Sequence, residues 1–533
     1  MKDEKKIMSL LVLLFAVLMS LPFLVPGCGF TALFGFVPLL CMERVASQSG
    51  IRRVWRWHFP AFLLWNAFTT FWVCNATVGG GIFAIAANSL QMSLIFGIFR
   101  KSSRYLRGVL PYILLAALWI AWERRYLTGG EISWPWLVLG NAFAGSTGLV
   151  QWYEFTGSLG GSLWVWASNL AIFGMMVMLS DGSWNRCGIK ARAAAVTASL
   201  AVIFVPMICS AILWSGFREE GETLDVAILQ PNIDPYNKFT AMTQDRQNAI
   251  LSGLAEDAME SCGDRLLLLA PETFTGDVIV GNANESPTVR RFASLLSAHP
   301  GAYMLMGAST RDYIMSDERP SQTARSLSDD VWIESHNSAL MLDGNGVRDI
   351  YHKSKLVVGV EMTPYPAVFR PIDDMLGGVM GRCVGQDSIS LLYAGEVPVG
   401  CAVCYESVYG EFCTGYVRAG AQLLAIITND AWWGDTPGYR QHLRYACLRA
   451  IETRRDIARC ANTGISAFIN SRGEIVSRTE WYGDGILSGK VHLSGRETFF
   501  VRYGDIVGRL CVFIAVMLAA VAAVRRFGGS GRF

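Results

Sequence analysis

Three side chains with reactive chemistry each follow a short predicted strand: Glu272, Lys353 and Cys404. A carboxylate, an ammonium and a thiol can together perform acyl transfer. The carboxylate takes the thiol proton, the thiolate attacks a carbonyl, and the ammonium with a backbone N–H stabilises the oxyanion. Taken singly, each also has an ordinary explanation: a residue at a helix N-terminus, a solvated lysine and a core cysteine. The hypothesis of thiol chemistry therefore depends on the chain bringing the three together.

The elements that must position these side chains lie between about residues 218 and 504, where β-type runs alternate with helical stretches. This alternation is typical of an α/β layered domain, and such sheets carry functional groups at the ends of their strands. The predicted strands are Leu224–Leu229, Leu266–Leu269, Tyr303–Gly307, Ser338–Leu342, Asp349–His352, Val397–Val403, Leu423–Thr428 and Ser466–Asn470, and the predicted helices are Arg246–Glu260, Thr288–Ala298 and 439–454.

The composition divides the chain into a membrane part and a water-soluble part. Hydrophobic residues make up 52% of the 533 residues, charged ones 17%, and the mean hydropathy is +0.32, whereas soluble domains carry about 25% charged residues. Of 44 acidic residues, seven precede residue 218, one follows residue 504, and 36 lie between. A net charge of +2 without a Lys/Arg tract disfavours nucleic-acid binding.

Eight apolar runs are candidates for membrane-spanning helices, which need about 20 residues each. The first begins after Lys5 and Lys6 as a signal peptide would, but further apolar runs follow it directly, so we interpret it as a retained span. The runs are 7–26, 30–43, 58–76, 82–100, 108–122, 163–180, 193–214 and 505–524.

Basic residues collect in every second connection between these runs and at both termini, and such sides are cytoplasmic. After seven crossings from a cytoplasmic N-terminus, residue 218 lies on the outer face of the membrane. The eighth crossing brings the C-terminal tail back to the cytoplasmic side. We therefore predict a transmembrane domain at 1–217, an extracytoplasmic catalytic domain at 218–500, and a C-terminal transmembrane helix with a cytoplasmic tail at 501–533.

The cysteines predict neither a disulfide framework nor a metal site. There are thirteen, and their spacings match no disulfide pattern. Cys401 and Cys404 form a CxxC pair without histidine partners, and no zinc-binding pattern is present. We predict no metal and no cofactor.

Several motifs, in their order, resemble the nitrilase superfamily; with seven spans before the domain and one after it, the chain resembles the apolipoprotein N-acyltransferase family. The resemblance covers nearly the whole chain and implies an αββα sandwich inserted between transmembrane helices seven and eight. The motifs are VAILQPNI at 226–233, APE at 270–272, YHKSKL at 351–356, CYE at 404–406, ITNDAWWGD at 427–435 and RQHLRYACLRAIETRRDIARCANTGISAFINSRGEI at 440–475.

The resemblance implies roles for individual residues. Glu272 corresponds to the general base, Lys353 to the oxyanion lysine and Cys404 to the nucleophile, while Glu361 matches a second, supporting glutamate. Lys355 competes with Lys353 for its role, but the Tyr-x-Lys spacing and the eight-residue step to Glu361 favour Lys353. Further functional positions are matched by Tyr405, Glu406 and Trp432.

The sequence departs from the family pattern at three places near these residues. Ala270 replaces the usual Trp of Trp-Pro-Glu, residues 358–361 read Val-Gly-Val-Glu instead of Pro-Phe-Gly-Glu, and Phe239 stands where Trp is usual. The triad is intact, so we expect these changes to affect lid geometry and the preference for acyl chain or head group.

The implied reaction transfers a fatty acyl chain from a phospholipid to the N-terminal amino group of S-diacylglyceryl-cysteine in a lipoprotein, by a ping-pong route through a Cys404 thioester. The implied partners are the phospholipid donor, the lipoprotein acceptor and the bilayer. The protein is expected to be a monomer of the bacterial inner membrane with its catalytic domain on the periplasmic side.

The segment 357–382, with apolar residues among its Pro and Gly residues, is typical of a lid, although an ordinary packed loop remains the alternative. Arg370 within it is a candidate for a phospholipid phosphate, and otherwise a solvated arginine. Two other functions stay open: a membrane-tethered amidase, and a transporter with an outer domain. The apolar lid disfavours the first, and the scarcity of ionisable residues in the spans disfavours the second.

Overall fold

The computed structural model describes residues 2–219, 221–261, 263, 265–321, 323–375, 381 and 383–527. The chain divides into two compact units: a helical unit of Met1–Thr128, Trp134–Phe217 and Tyr503–Phe533, and a sandwich unit of Gly129–Ser133 and Arg218–Arg502. The α-helices are α1 Lys2–Leu24, α2 Ala32–Gly35, α3 Val37–Gln48, α4 Trp55–Thr70, α5 Val73–Ala76, α6 Val78–Ser102, α7 Leu110–Thr128, α8 Tyr153–Ser180, α9 Ser183–Arg186, α10 Ile189–Gly216, α11 Pro235–Thr240, α12 Gln244–Ser261, α13 Pro287–Ser297, α14 Pro366–Met375, α15 Gly410–Arg418, α16 Pro437–Thr453, α17 Phe499–Tyr503 and α18 Ile506–Phe527.

The helical unit has a helix at each of the eight predicted span positions. Within the described part of the chain, six helical stretches are long and apolar enough to cross a membrane. Helix α4 has only 16 residues, and α7 carries Glu123, Arg124 and Arg125 near its end. The unit is therefore a helical region with several apolar helices, and the count of eight crossings stays a prediction.

Aromatic rings and a few buried polar side chains hold the helical unit together. The ring of Phe36 lies 4.5 Å from that of Trp166 and 5.3 Å from that of Trp119, measured between centroids. Asn169 accepts the backbone N–H of Phe36 at 2.7 Å and donates to the carbonyl of Ala32 at 2.7 Å. Such interhelical hydrogen bonds satisfy backbone groups that would otherwise be unpaired at a helix start.

The sandwich unit contains two sheets. The first has the order β14-β1-β2-β4-β6-β5, with β3 beside β4 and β7 beside β6, and the second has the order β13-β12-β11-β10-β9-β8. The strands are β1 Thr223–Gln230, β2 Leu266–Leu269, β3 Thr275–Ile279, β4 Ala302–Met315, β5 Arg325–Ser326, β6 Val331–Asp343, β7 Gly346–His352, β8 Leu392–Ala394, β9 Val397–Val403, β10 Leu423–Thr428, β11 Ile457–Ala461, β12 Ala467–Ile469, β13 Ile475–Arg478 and β14 Gly485–His492.

Alternating side chains of β1 show how the layers stack. Val226 and Ile228 lie in one apolar core with residues of the second sheet such as Ile427. Ala227 and Leu229 point the other way and lie in a second core with residues of α12 and α13, as the two-residue period of a strand requires. Residues of α15 and α16 cover the second sheet. The layers therefore run helix, sheet, sheet, helix, which confirms the expected αββα sandwich.

Three helices of the sandwich unit begin with the same N-cap arrangement. Asp234, Ser286 and Thr436 each precede a proline at the first helical position, and their side chains accept backbone N–H groups at 2.9–3.0, 3.2 and 3.3 Å. Such a cap satisfies donors that have no partner inside the helix, and proline fits there because it lacks an N–H. These caps fix the residues at which the three helices begin.

Candidate active site

Cys404 stands at a sharp corner where β9 ends. Its backbone φ is 53°, in the left-handed region that residues other than glycine seldom occupy, and it opens the 3₁₀ turn Cys404–Val408. Besides burial, the neighbouring Glu272 and Lys353 affect the pKa of the thiol. The strand end thus brings the predicted nucleophile beside the other two predicted groups.

Glu272, Lys353 and Glu361 form one buried network. The Nζ of Lys353 donates to Glu361 Oε1 at 2.9 Å and to Glu272 Oε1 at 3.3 Å, and the Lys353 side chain is 1% exposed. The Nδ2 of Asn337 donates to the same two carboxylate oxygens at 2.7 Å each. The backbone N–H of Asn429 donates to Glu272 Oε2 at 3.2 Å, so both oxygens of Glu272 have fixed partners.

The charges of this network determine the resting states of its members. Burial disfavours the ammonium of Lys353, but the charges of Glu361 and Glu272 outweigh it and hold the Lys353 pKa well above its ordinary value. Burial, together with the charge of Glu272, raises the pKa of the Cys404 thiol well above its ordinary value, although Lys353 opposes this. The site therefore rests with a thiol and an ammonium, and the thiol needs a proton acceptor to react.

Glu406 ties the Cys404 corner to the Lys353 loop. Its Oε2 accepts the N–H of Val403 at 2.8 Å, and its Oε1 accepts the N–H groups of Ser354 and Lys355 at 2.7 and 3.0 Å. Tyr351 also donates its hydroxyl to Oε1, at 2.7 Å. Burial raises the pKa of Glu406 to about 7 despite these bonds. The carboxyl group is placed to hold the Cys404 corner and the Lys353 loop together.

Tyr405 connects the turn that begins at Cys404 to the segment Gly129–Ser133 of the sandwich unit. It is buried, its hydroxyl donates to the carbonyl of Ser133 at 3.3 Å, and its ring meets that of Tyr409 edge-on at 5.2 Å. The hydroxyls of Tyr409 and Ser133 are 3.1 Å apart. In the same segment, the Glu131 carboxylate accepts the N–H of Tyr365.

The remaining predicted residues lie around this network or outside the described side chains. Trp432 is half-buried and its ring lies 5.4 Å from that of Tyr236. Arg370 lies in α14 and is half-buried. Phe239 is in α11, but its side chain is outside those described. The Nζ of Lys355 lies 5.6 Å from the ring of Phe412, so Lys353 is the lysine that joins the two glutamates.

Part of the predicted lid is described. It contains α14, with Tyr365 exposed at its start and Val368 and Met375 exposed along it. Residues 376–380 and 382, including Met380, lie outside the described residues. Motion of this segment stays a prediction.

Sequence reasoning missed Asn337, Asn429 and the pair Asp430–His442. Asn337 is the strongest of these omissions because it bonds both glutamates. The sequence gives no local signal for it, because Asn337 lies within the polar run 334–338. Asp430 and His442 lie in the motifs at 427–435 and 440–475, but neither had been given a role.

Comparison with known proteins agrees with this geometry. Residues 225–499 match the carbon-nitrogen hydrolase family model, and residues 15–171 match the model of the apolipoprotein N-acyltransferase N-terminal domain. The chain therefore belongs to the carbon-nitrogen hydrolase family and, with both matches, to the apolipoprotein N-acyltransferases.

Two relatives extend over almost the full chain. An apolipoprotein N-acyltransferase of Chlorobaculum tepidum is 29% identical, covering 93% of this chain and 92% of the relative. One of Geobacter metallireducens is 27% identical, covering 97% and 95%. Among solved structures, Nit3 of Saccharomyces cerevisiae, a member of branch 10 of the nitrilase superfamily, matches with a TM-score of 0.38 and 15% identity over 54% of this chain and 95% of its own.

Proposed function

We propose that this protein transfers a fatty acyl chain from a phospholipid to the N-terminal amino group of S-diacylglyceryl-cysteine in lipoproteins, through a thioester on Cys404. The observation that carries the proposal is the cluster of Glu272, Lys353 and Cys404 at strand ends. It stands in a chain that also has helices of membrane-spanning length. A soluble amidase needs the cluster of reactive residues but has no use for membrane-spanning helices.

In the first half-reaction, Glu272 takes the proton of the Cys404 thiol and the thiolate attacks the ester carbonyl of the phospholipid. Lys353 stabilises the oxyanion that forms. The carbon–oxygen bond then breaks, and the leaving lysophospholipid oxygen takes the proton from Glu272. The products are a Cys404 thioester and a lysophospholipid.

In the second half-reaction, the neutral α-amino group of the lipoprotein cysteine attacks the thioester carbonyl. Glu272 accepts a proton from the attacking nitrogen, and the carbon–sulfur bond breaks. The sulfur leaves as thiolate and recovers a proton from Glu272, so the enzyme returns to its starting state with an amide as product. Glu361, Asn337 and Glu406 hold the reacting groups through the bonds described above.

The other assignments concern how the lipids reach this site. The segment 357–382 acts as a lid; Arg370 receives a phosphate, and Trp432 and Phe239 line the substrate path.

The protein works as a monomer in the bacterial inner membrane. Eight crossings place the domain at 218–500 on the periplasmic side, between a transmembrane domain at 1–217 and a final helix and cytoplasmic tail at 501–533. The alternating basic connections support this arrangement.

The test is the intact mass of the purified protein after incubation with phospholipid vesicles. We expect one hydroxylamine-sensitive acyl chain on the wild type and on Cys401→Ala, and none on Cys404→Ala, with one lysophospholipid released per acyl chain. Cys401 is the matched control because it is buried within β9. An adduct that survives in Cys404→Ala would refute the thioester, and turnover of small amides without lysophospholipid release would indicate an amidase.

A further inference from the structure

A buried chain of polar side chains lies behind the Cys404 corner. Arg459 Nη2 donates to Asp430 Oδ2 at 2.5 Å, and Asp430 Oδ1 lies 3.0 Å from His442 Nδ1. None of the three side chains is exposed. They come from separate elements, because Arg459 is on β11, Asp430 follows β10 and His442 is on α16. The acyl-transfer steps proposed above do not use them.

The far end of this chain reaches the backbone of the nucleophile. His442 Nε2 lies 3.0 Å from the carbonyl oxygen of Cys404 and 2.9 Å from Ser407 Oγ, which itself donates to that carbonyl at 2.8 Å. The Cys404 carbonyl and the Asp430 carboxylate only accept hydrogen bonds, so both contacts are bonds in the ring form in which Nε2 and Nδ1 each carry a proton. The carbonyl belongs to the residue whose φ is 53°.

The other end of the chain is fixed by charge. Although burial opposes ionisation, Arg459 and His442 hold the pKa of Asp430 well below its ordinary value. Thr428 also donates its hydroxyl to Asp430 Oδ1 at 2.8 Å. The ring of His442 is further packed edge-on against Trp433, 5.5 Å between centroids. The imidazole is thus held in one orientation by a buried carboxylate and an aromatic ring.

We propose that His442 is a positioning residue: anchored by Asp430 and Arg459, it donates Nε2–H to the Cys404 carbonyl and thereby holds the left-handed turn that aims the thiol between Glu272 and Lys353. His442 moves no proton in the reaction; that task belongs to Glu272. The inference rests on the proposed function only for the role of Cys404 as the nucleophile.

Two substitutions separate positioning from mere packing. The amide nitrogen of His442→Gln can occupy the place of Nε2 and donate to the Cys404 carbonyl, whereas that of His442→Asn occupies the place of Nδ1 and reaches only towards Asp430. Both remove the ring, so thermal unfolding of the two variants serves as the matched control for stability.

The first measurement is the rate of Cys404 thioester formation at saturating phospholipid. We expect His442→Asn to lower it about 100-fold, as a misplaced reacting group does, and His442→Gln to retain it within about tenfold of wild type. The phospholipid concentration for half-maximal rate should stay unchanged in both, because the His442 side chain is fully buried. Equal losses in the two variants, or a better Asn than Gln variant, would overturn the proposal.

The second measurement needs no phospholipid. It is the rate of Cys404 alkylation by iodoacetamide, followed by peptide mass at a series of pH values. We expect the pH at which this rate is half-maximal to be displaced in His442→Asn and to stay at the wild-type value in His442→Gln. If wild type forms no thioester but the alkylation midpoints follow this order, the acyl-transfer function fails and the positioning role holds. If wild type forms the thioester but Gln and Asn share one midpoint, the positioning role fails alone.

Discussion

At the residue scale, Glu272 acts on Cys404 in two opposite ways. After burial, its negative charge is the largest cause of the raised thiol pKa, yet in the proposed mechanism its carboxylate is the acceptor of the thiol proton. We therefore expect Glu272→Gln to abolish thioester formation while moving the pH midpoint of iodoacetamide alkylation of Cys404 to lower pH. The shift is downward because the ammonium of Lys353 remains and the opposing carboxylate is gone.

The exposed Glu396 provides the control for this experiment. Glu396→Gln should change neither thioester formation nor the alkylation midpoint. A midpoint that moves to higher pH in Glu272→Gln would contradict the electrostatic argument, and normal acylation of that variant would remove Glu272 from the mechanism.

Lys353 and Lys355 are two positions apart and differ in surroundings, which makes them a matched pair. Lys353 bonds both glutamates, whereas the Nζ of Lys355 lies over the rings of Tyr409 and Phe412. Lys353→Met should lower the rate of thioester formation by about 10²–10³-fold, as loss of an oxyanion donor does, and Lys355→Met should be far milder. The measurement is intact mass against time. If Lys355→Met lost more rate than Lys353→Met, Lys355 would be the catalytic lysine.

The sequence was sufficient to select Glu272, Lys353 and Cys404, because each follows a strand whose apolar run or motif is recognisable. Their roles stay predictions. The sequence was insufficient for Asn337, which bonds a glutamate 65 residues away along the chain. It was also insufficient for Arg459, which lies inside a strand and is buried only because Asp430 neutralises it from another element. Partners that are distant in sequence leave no local pattern.

At the element scale, the strands that were predicted with the right bounds are β2, β9 and β10. Their burial is continuous or nearly so along the strand, and an uninterrupted apolar run is the pattern that buried parallel strands produce. In contrast, β11 was missed because a charged residue interrupts it, and β13 alternates between half-buried and exposed residues. A charged residue in a central strand such as β11, or partial exposure of an edge strand such as β13, therefore weakens the sequence signal.

Strand β4 supports the turn that carries Glu272. A Cβ at Gly307 would lie 2.5 Å from both the Cα of Glu272 and the carbonyl oxygen of Pro271, which is closer than side chains approach backbone. Gly307→Ala should displace this turn and slow thioester formation by about 100-fold, because a misplaced reacting group loses that much rate. The initial rate of thioester formation, with the folded fraction checked by thermal unfolding, is the measurement.

Gly253 in α12 supplies the control, since a Cβ there meets nothing within 4 Å. Gly253→Ala should keep the wild-type rate and raise the free energy of unfolding by about 0.5–1 kcal/mol through its helix propensity. A Gly307→Ala enzyme with the wild-type rate would show that the Glu272 turn tolerates displacement.

At the scale of the whole molecule, the sequence predicts two parts from the uneven distribution of acidic residues, and the chain divides into two units. One short segment belongs to a different unit from the helices that flank it in the chain. Gly129–Ser133, which lies between α7 and α8 in the chain, belongs to the sandwich unit. Nothing in the sequence of the connection at 123–162 signals this, because its contacts with Tyr405 and Tyr365 join residues more than 200 positions apart.

The orientation in the membrane gives the last prediction. Ser326 lies in the exposed strand β5 of the sandwich unit, and Ser102 ends α6 next to Arg100 and Lys101. Because basic connections stay in the cytoplasm, a cysteine reporter at Ser326 should react with a membrane-impermeant thiol reagent after the outer membrane of the cells is made permeable, and one at Ser102 should react only after the inner membrane is lysed. The unsubstituted protein gives the background of its native thiols. Labelling at Ser102 alone in unlysed cells would place the catalytic domain in the cytoplasm. A lipoprotein on the outer face of the membrane, carrying a free diacylglyceryl-cysteine amine, could then not reach Cys404.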